Sequence, residues 1–175
     1  MFSIQQQTAT LAHLNVRAEK HGDEDHGAAD LKITFTAGNG ILSEFHPVLR
    51  SSMYKPADTP ADQEEIFKPD PDALTVRRFG NLIETLRLKH TITGANVVIG
   101  FGVGGASDIE LETVDVDGFT AELLEGGSVN ITFRVKCAPT ADQIARLYEV
   151  LGGEIDITVT PPVDPQGSMF DETEN

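Results

Sequence analysis

The run Phe119-Thr-Ala-Glu-Leu-Leu-Glu-Gly-Gly-Ser-Val-Asn-Ile-Thr-Phe-Arg-Val135 holds two apolar-polar alternations on either side of a glycine pair. Period-two alternation puts successive side chains on opposite faces of an extended chain, and Glu125-Gly-Gly-Ser128 supplies residues that turn tightly. The spacing predicts a β-hairpin of 119–123 against 129–135. Upstream, Ile109 and Leu111 alternate with acids before Val114 and Val116, which extends the strand pattern backwards. Downstream, Thr140 stands as the N-cap of a helix whose Ile144, Leu147, Tyr148 and Leu151 share one stripe, and Gly152-Gly153 ends it. Ile155, Ile157 and Val159 then alternate as a last strand, stopped by Pro161-Pro162.

Further from the hairpin the pattern continues. Leu31-Lys-Ile-Thr-Phe-Thr36 reads as a strand bounded by Gly38-Asn39-Gly40. Ser43 is placed to cap a short helix running to about Tyr54, with Pro47 in its first turn. Residues 82–93 and 97–101 read as two strands joined by a turn at Thr93-Gly-Ala-Asn96, which predicts a second hairpin. The fold class expected is α+β, mainly antiparallel β, a meander sheet or a partly open barrel or sandwich with two short helices. One globular domain over 1–162 accommodates these elements. A proline-rich acidic excursion at about 55–73 and an acidic flexible tail at 163–175 lack the apolar content to bury themselves.

Composition bounds the function. The single cysteine, Cys137, forms no internal disulfide and builds no Cys-based metal centre. No stretch reaches the roughly 18 apolar residues of a membrane helix and the N-terminus lacks a signal-peptide pattern, so a cytoplasmic location without membrane is expected. A net charge of −15 disfavours binding to nucleic acid by the chain as a whole. The charge is uneven, however. Arg77, Arg78, Arg87, Lys89 and His90 cluster with only Glu84 among them.

Motifs for catalysis are weak. His21-Gly-Asp-Glu-Asp-His26 offers nitrogen and oxygen ligands, but its i, i+5 spacing misses helical zinc geometry and its glycines fit a loop. Gly100-Phe-Gly-Val-Gly-Gly-Ala-Ser107 has neither the Lys-Ser/Thr of a P-loop nor the dinucleotide-binding spacing, and reads as a turn or bulge between strands. Cys137 precedes Ala138-Pro139 without a nucleophile elbow. No catalytic residue, metal or cofactor is assigned, and the reading is of a protein that is not an enzyme.

Two binding segments stand out instead. Arg87 and Lys89 alternate with Leu86 and Leu88; with Arg77, Arg78, Phe101 and the nearby Phe79 they form a candidate stacking-and-cation groove for single-stranded nucleic acid. The bland alternative is an amphipathic strand with a solvated polar face. The tail, with Met169-Phe170-Asp171-Glu172, is similar in composition to partner-recruiting acidic tails but ends in polar residues.

Leu14-Asn-Val-Arg-Ala-Glu-Lys-His-Gly22, Ala29-Asp-Leu-Lys32, Leu42-Ser-Glu-Phe45, Gly104-Gly-Ala-Ser-Asp-Ile109 and Gly126-Gly-Ser-Val129 resemble a family of small, poorly characterised bacteriophage and prophage proteins, from about residue 11 to Pro162. The resemblance implies a phage setting in the host cytoplasm, among non-virion genes of DNA replication or recombination or among host-defence antagonists. It assigns no functional residue. Three functions are carried forward: an accessory protein engaging single-stranded nucleic acid or the proteins that handle it, an acidic DNA-mimic-like inhibitor of a host defence protein, and a virion component that forms a homo-oligomer.

Overall fold

The computed structural model describes residues 2–21, 24–58, 73–101 and 107–162, with the side chains of 18–21 and 24–26 outside that description. Nine strands follow in chain order: β1 (Ile4–His21), β2 (Glu24–Gly38), β3 (Tyr54–Pro56), β4 (Leu74–Arg77), β5 (Thr85–Arg87), β6 (Ile92–Gly100), β7 (Ile109–Leu123), β8 (Ser128–Cys137) and β9 (Glu154–Thr160). Among the described residues there are also two short α-helices, α1 (Leu49–Met53) and α2 (Ala141–Glu149), and 3-10 turns at Asn39–Glu44, Gly80–Leu82 and Glu125–Gly127. Every strand pairing is antiparallel.

The hairpin expected at 119–135 closes the fold. β8 pairs through Leu123↔Val129 and Ala121↔Ile131 with β7, and through Phe35↔Ile131 and Ile33↔Phe133 with β2. The order β7-β6-β9-β1-β2-β8 therefore returns to β7, a six-stranded barrel, with β5 as a seventh strand on β7 outside the ring. Closure removes the long open edges that a flat sheet of these strands would leave. The alternating aliphatic residues point inward. Leu11, Ile33, Ile99, Ile109, Val116, Ile131, Val135 and Ile157 are all fully buried, and the rings of Phe2, Phe45, Phe119 and Phe133 meet stacked or edge-to-face at 4.9–6.0 Å between centroids within the same core.

α2 is capped as expected. Thr140 Oγ1 accepts from the Gln143 backbone N–H and Gln143 Oε1 accepts from the Thr140 N–H, a reciprocal capping box. The stripe is narrower than the periodicity predicts: Leu147 is buried, whereas Tyr148 is 70% and Leu151 39% exposed. The helix ends at Glu149, so Leu151 no longer lies on its face.

Three expectations are corrected. Residues 82–93 and 97–101 do not form a hairpin: β5 spans only Thr85–Arg87, β6 runs unbroken through 93–96, and both pair with β7. Gly94, with φ +76°, is a bulge where a turn was expected. The helix after Ser43 is likewise two elements, a 3-10 turn over Asn39–Glu44 and α1 beginning at Leu49, with Val48 as the N-cap. The third is β1, for which the alternation gave no strand. Its buried positions are Ile4, then Ala9 and Leu11, with Leu14 half-buried, so the inward phase flips twice. Those flips coincide with Gln6, at φ 45°, and with a register shift between Leu11 and His13. β7 flips likewise at Thr113 (φ 55°) and Gly118 (φ 66°), which joins the two patterns 109–116 and 119–123 into one strand.

Tyr54, at the start of β3, ties the outlying β3-β4 ribbon to the barrel. Its hydroxyl contacts the carbonyls of Leu124 at 3.0 Å and Ser128 at 2.7 Å, bracketing the closing turn. Gly127 in that turn has φ +83° and lies so close to β4 that a Cβ would sit 2.9 Å from the Leu74 carbonyl oxygen. Gly126 has φ +80° and open space around it. Gly126→Ala is thus expected to cost about 1 kcal/mol, from backbone strain alone, and Gly127→Ala about 2–3 kcal/mol. Urea unfolding of the two variants checks the ordering; equal costs would mean that the ribbon does not press on the turn.

Candidate binding surface on the barrel exterior

A barrel interior filled by aliphatic and phenyl side chains leaves chemistry to the outside. Three depressions among the described residues, of 390, 580 and 370 Å³, open to solvent between strands. Among the described residues no three His, Cys, Asp or Glu side chains gather closely enough to hold a metal ion, and no helix is long and apolar enough to cross a membrane. His21-to-His26, most of the Gly100-to-Ser107 run, most of the 55–73 excursion and the tail residues Met169, Phe170, Asp171 and Glu172 lie outside the described residues or side chains. Cys137 is a buried residue whose thiol contacts the Ala29 carbonyl at 3.6 Å; burial pushes its pKa up to about 12. It is a neutral thiol at physiological pH, the wrong form for a nucleophile.

The basic segment surrounds β5. Arg87 pairs opposite Thr120 of β7, and Leu88 N–H donates to the Phe119 carbonyl, so the alternation expected there is realised: Leu86 and Leu88 pack against the core while Arg87 and Lys89 are exposed. Neither cation has a partner among the described residues. The turn leading into β5 exposes Phe79 at 45% and Leu82 at 84%. The other two arginines are committed within the fold. Arg77 holds Glu125 at 2.6 Å and Asn81 at 3.0 Å, and Arg78 donates to the carbonyls of Ser51 and Tyr54 at 2.7 and 3.2 Å.

Phe101 is not part of this group. It follows β6, whose end pairs Ile99↔Ile109, eleven residues along β7 from Thr120 opposite Arg87. The two pairings therefore lie at opposite ends of β7. Of the two aromatics the sequence offered, Phe79 lies on the turn that enters β5.

His90 turns inward, its ring edge-on at 5.5 Å to both Phe45 and Phe119. Burial lowers its pKa, and Nε2 finds no hydrogen-bond partner. The folded state therefore favours neutral His90. Its contribution is fully present above pH 6.5 and is lost as the pH falls through the depressed folded value. His90→Phe should flatten the stability profile between pH 6.5 and 5, measured as urea midpoints across that range; an unchanged slope would refute the assignment.

A second polar surface escaped the sequence because its residues come from four strands. Registers align His13↔Lys32↔Arg134↔Asp117 across β1, β2, β8 and β7, and Asn15↔Asp30↔Lys136↔Asp115 beside it. Three of the cations here are neutralised, whereas Lys32 is exposed. Arg17 pairs with Asp30, while Arg134 and Lys136 hold Asp117 at 2.9 and 2.7 Å. Burial opposes the Asp117 charge, yet these two bonds outweigh it and keep the carboxyl below its ordinary pKa. Such a lattice suits a solvated sheet face better than a phosphate site. Comparison with family models, curated proteins and solved structures finds no match for this chain.

Proposed function

We propose that this protein is a non-enzymatic accessory binding protein that engages single-stranded nucleic acid along the β5 edge. The observation that carries the reading is the pairing of two exposed, unpartnered cations, Arg87 and Lys89, with the exposed apolar Phe79 and Leu82 at the turn entering the same strand. A single strand offers phosphates to the first pair and base faces to the second, and neither contact requires a particular sequence. The phage DNA-metabolism setting and the host cytoplasm rest on the sequence resemblance alone.

Two phosphate contacts on a chain of charge −15 imply modest affinity. With about 0.7 counterions released per contact on single strands, log K against log salt should have a slope of about −1.5. Fluorescence anisotropy with a labelled oligonucleotide at low salt tests this. Arg87→Glu with Lys89→Glu should weaken binding by tenfold or more, and Phe79→Ala by about tenfold. Absence of binding at micromolar protein, or indifference to the charge reversal, overturns the reading.

An inhibitor acting through an acidic face is the second reading, favoured by the run Glu110, Glu112 and Asp115 along β7. Recovery of a DNA-binding host complex in a pull-down, lost at high salt, would support it in place of the first.

A further inference from the structure

The barrel wall is one strand short at one end. β8 is flanked by β2 and β7 as far as Ala29↔Cys137 and Lys136↔Asp115. Beyond Cys137 the chain passes Ala138 and Pro139 and turns into α2. Pro139 has no N–H to give a ladder, so β8 cannot continue. Its neighbours do continue: β2 extends back to Glu24 and β7 back to Ile109. Between them lies the 580 Å³ groove, with Ala28 and Arg17 on one wall, residues 110–115 on the other, and Cys137-Ala138 with Gln143 of α2 at the closed end, where Arg146 of α2 also donates to the Ser107 carbonyl at 2.9 Å. Where β8 ends, its two neighbours are two strand spacings apart, about 9.6 Å, which is the width that one extended chain fills. The apolar residues bordering the groove are less completely covered than the rest of the core. Leu111 and Val114 keep 6% exposure, Ala28 7% and Cys137 9%, against 0% for Ala29, Val116 and Val135 one step further in.

We infer that this gap is a docking slot for an extended peptide segment of a partner protein, which enters as a substitute for the missing continuation of β8, antiparallel to β7. Charge selects the occupant. Exposed Glu110 and Glu112 and half-buried Asp115 line the β7 wall, whereas the two nearby cations, Arg17 and Lys136, are paired with Asp30 and Asp117. A segment that alternates apolar with basic residues places its apolar side chains over Leu111 and Val114 and its cations beside the glutamates. The chain's own residues 163–175 contain acids and no Lys or Arg, so they are repelled from this wall. The slot is a separate site from the β5 edge, and the two stand or fall independently.

A fluorescein-labelled nonapeptide alternating Val with Lys and Arg is the probe, titrated by anisotropy against the full chain. Three results are expected: saturable binding at micromolar concentration, at least tenfold weakening when alternate Val amides are N-methylated, and at least tenfold weakening by Glu110→Lys with Glu112→Lys. The N-methylated peptide keeps the charge and loses the ability to pair as a strand, so it needs no variant protein to be informative. Amide hydrogen exchange should slow at residues 110–114 on binding. Absence of binding, or equal binding of the N-methylated peptide, overturns the proposal. Self-association without peptide that the double Glu variant abolishes overturns it too, because the occupant would then be a second copy of the chain.

Discussion

Phe133→Ala is expected to cost about 3–5 kcal/mol of stability, a large part of the 5–15 kcal/mol that holds an ordinary domain together. Phe133 is fully buried at the centre of β8, opposite Ile33 of β2, and its ring lies 5.6 Å from Phe119, 6.0 Å from Phe2 and 6.2 Å from Phe35. Truncation removes the shared partner of three rings at once. The surrounding strands are locked on both edges by hydrogen bonding, so they cannot collapse into the void, and the cavity term adds to the lost transfer free energy. Phe79→Ala, at a half-exposed position, should stay within about 0.5 kcal/mol. Urea unfolding measures both. A Phe133→Ala cost under about 1 kcal/mol would mean that the ring is not at the centre of a packed barrel.

The second large effect is alkaline. Burial raises the Cys137 thiol from 9.0 to about 12. A pKa raised in the folded state means that the stabilising contribution is complete below pH 9 and is lost as the pH rises toward 12, because the unfolded thiol ionises first. Each unit corresponds to about 1.4 kcal/mol, so the loss approaches an upper bound of about 4 kcal/mol at the top of that window. Cys137→Ala should be less stable than the parent at pH 8, where a buried side chain has been trimmed, yet show a flatter decline between pH 9 and 10. That lower interval is the informative one, since Tyr54, whose pKa burial raises above 10.0, adds its own decline at higher pH. Parallel declines in the two proteins would show that the thiol is not buried as described. Reaction of native Cys137 with a thiol reagent as fast as the unfolded chain would show the same.

Much of this architecture is legible in the residues, and the places where it is not share one cause. Alternation locates residues 31–36 of β2, the hairpin segments 119–123 and 129–135, and β9, because each of those stretches keeps one phase. It misses β1 and splits β7, because a bulge resets which parity faces inward; Gln6 and Thr113 adopt positive φ without the glycine that would announce it. Gly94 misleads in the other direction, since a glycine in a bulge and a glycine in a turn look alike locally and only the pairing partner separates them. The candidate binding residues divide in the same way. Arg87 and Lys89 are exposed as their alternation implies, because β5 lies on one edge of a buried sheet face. Arg77 and Arg78 could not be recognised as structural from the sequence, for their acceptors lie up to 48 positions away at Glu125 and in the carbonyls of Ser51 and Tyr54. The groove beyond Cys137 was equally hidden: it is defined by where one strand stops while its two neighbours continue.

We propose that function resides on the exterior of the filled barrel, at the β5 edge. Amide chemical-shift mapping of the isotopically labelled full chain, titrated with a single-stranded oligonucleotide at low salt, tests that claim most directly. Shifts concentrated at 78–90 and at residues 119–122 of β7 are the predicted result. A map centred elsewhere, or no perturbation at saturating oligonucleotide, would contradict it.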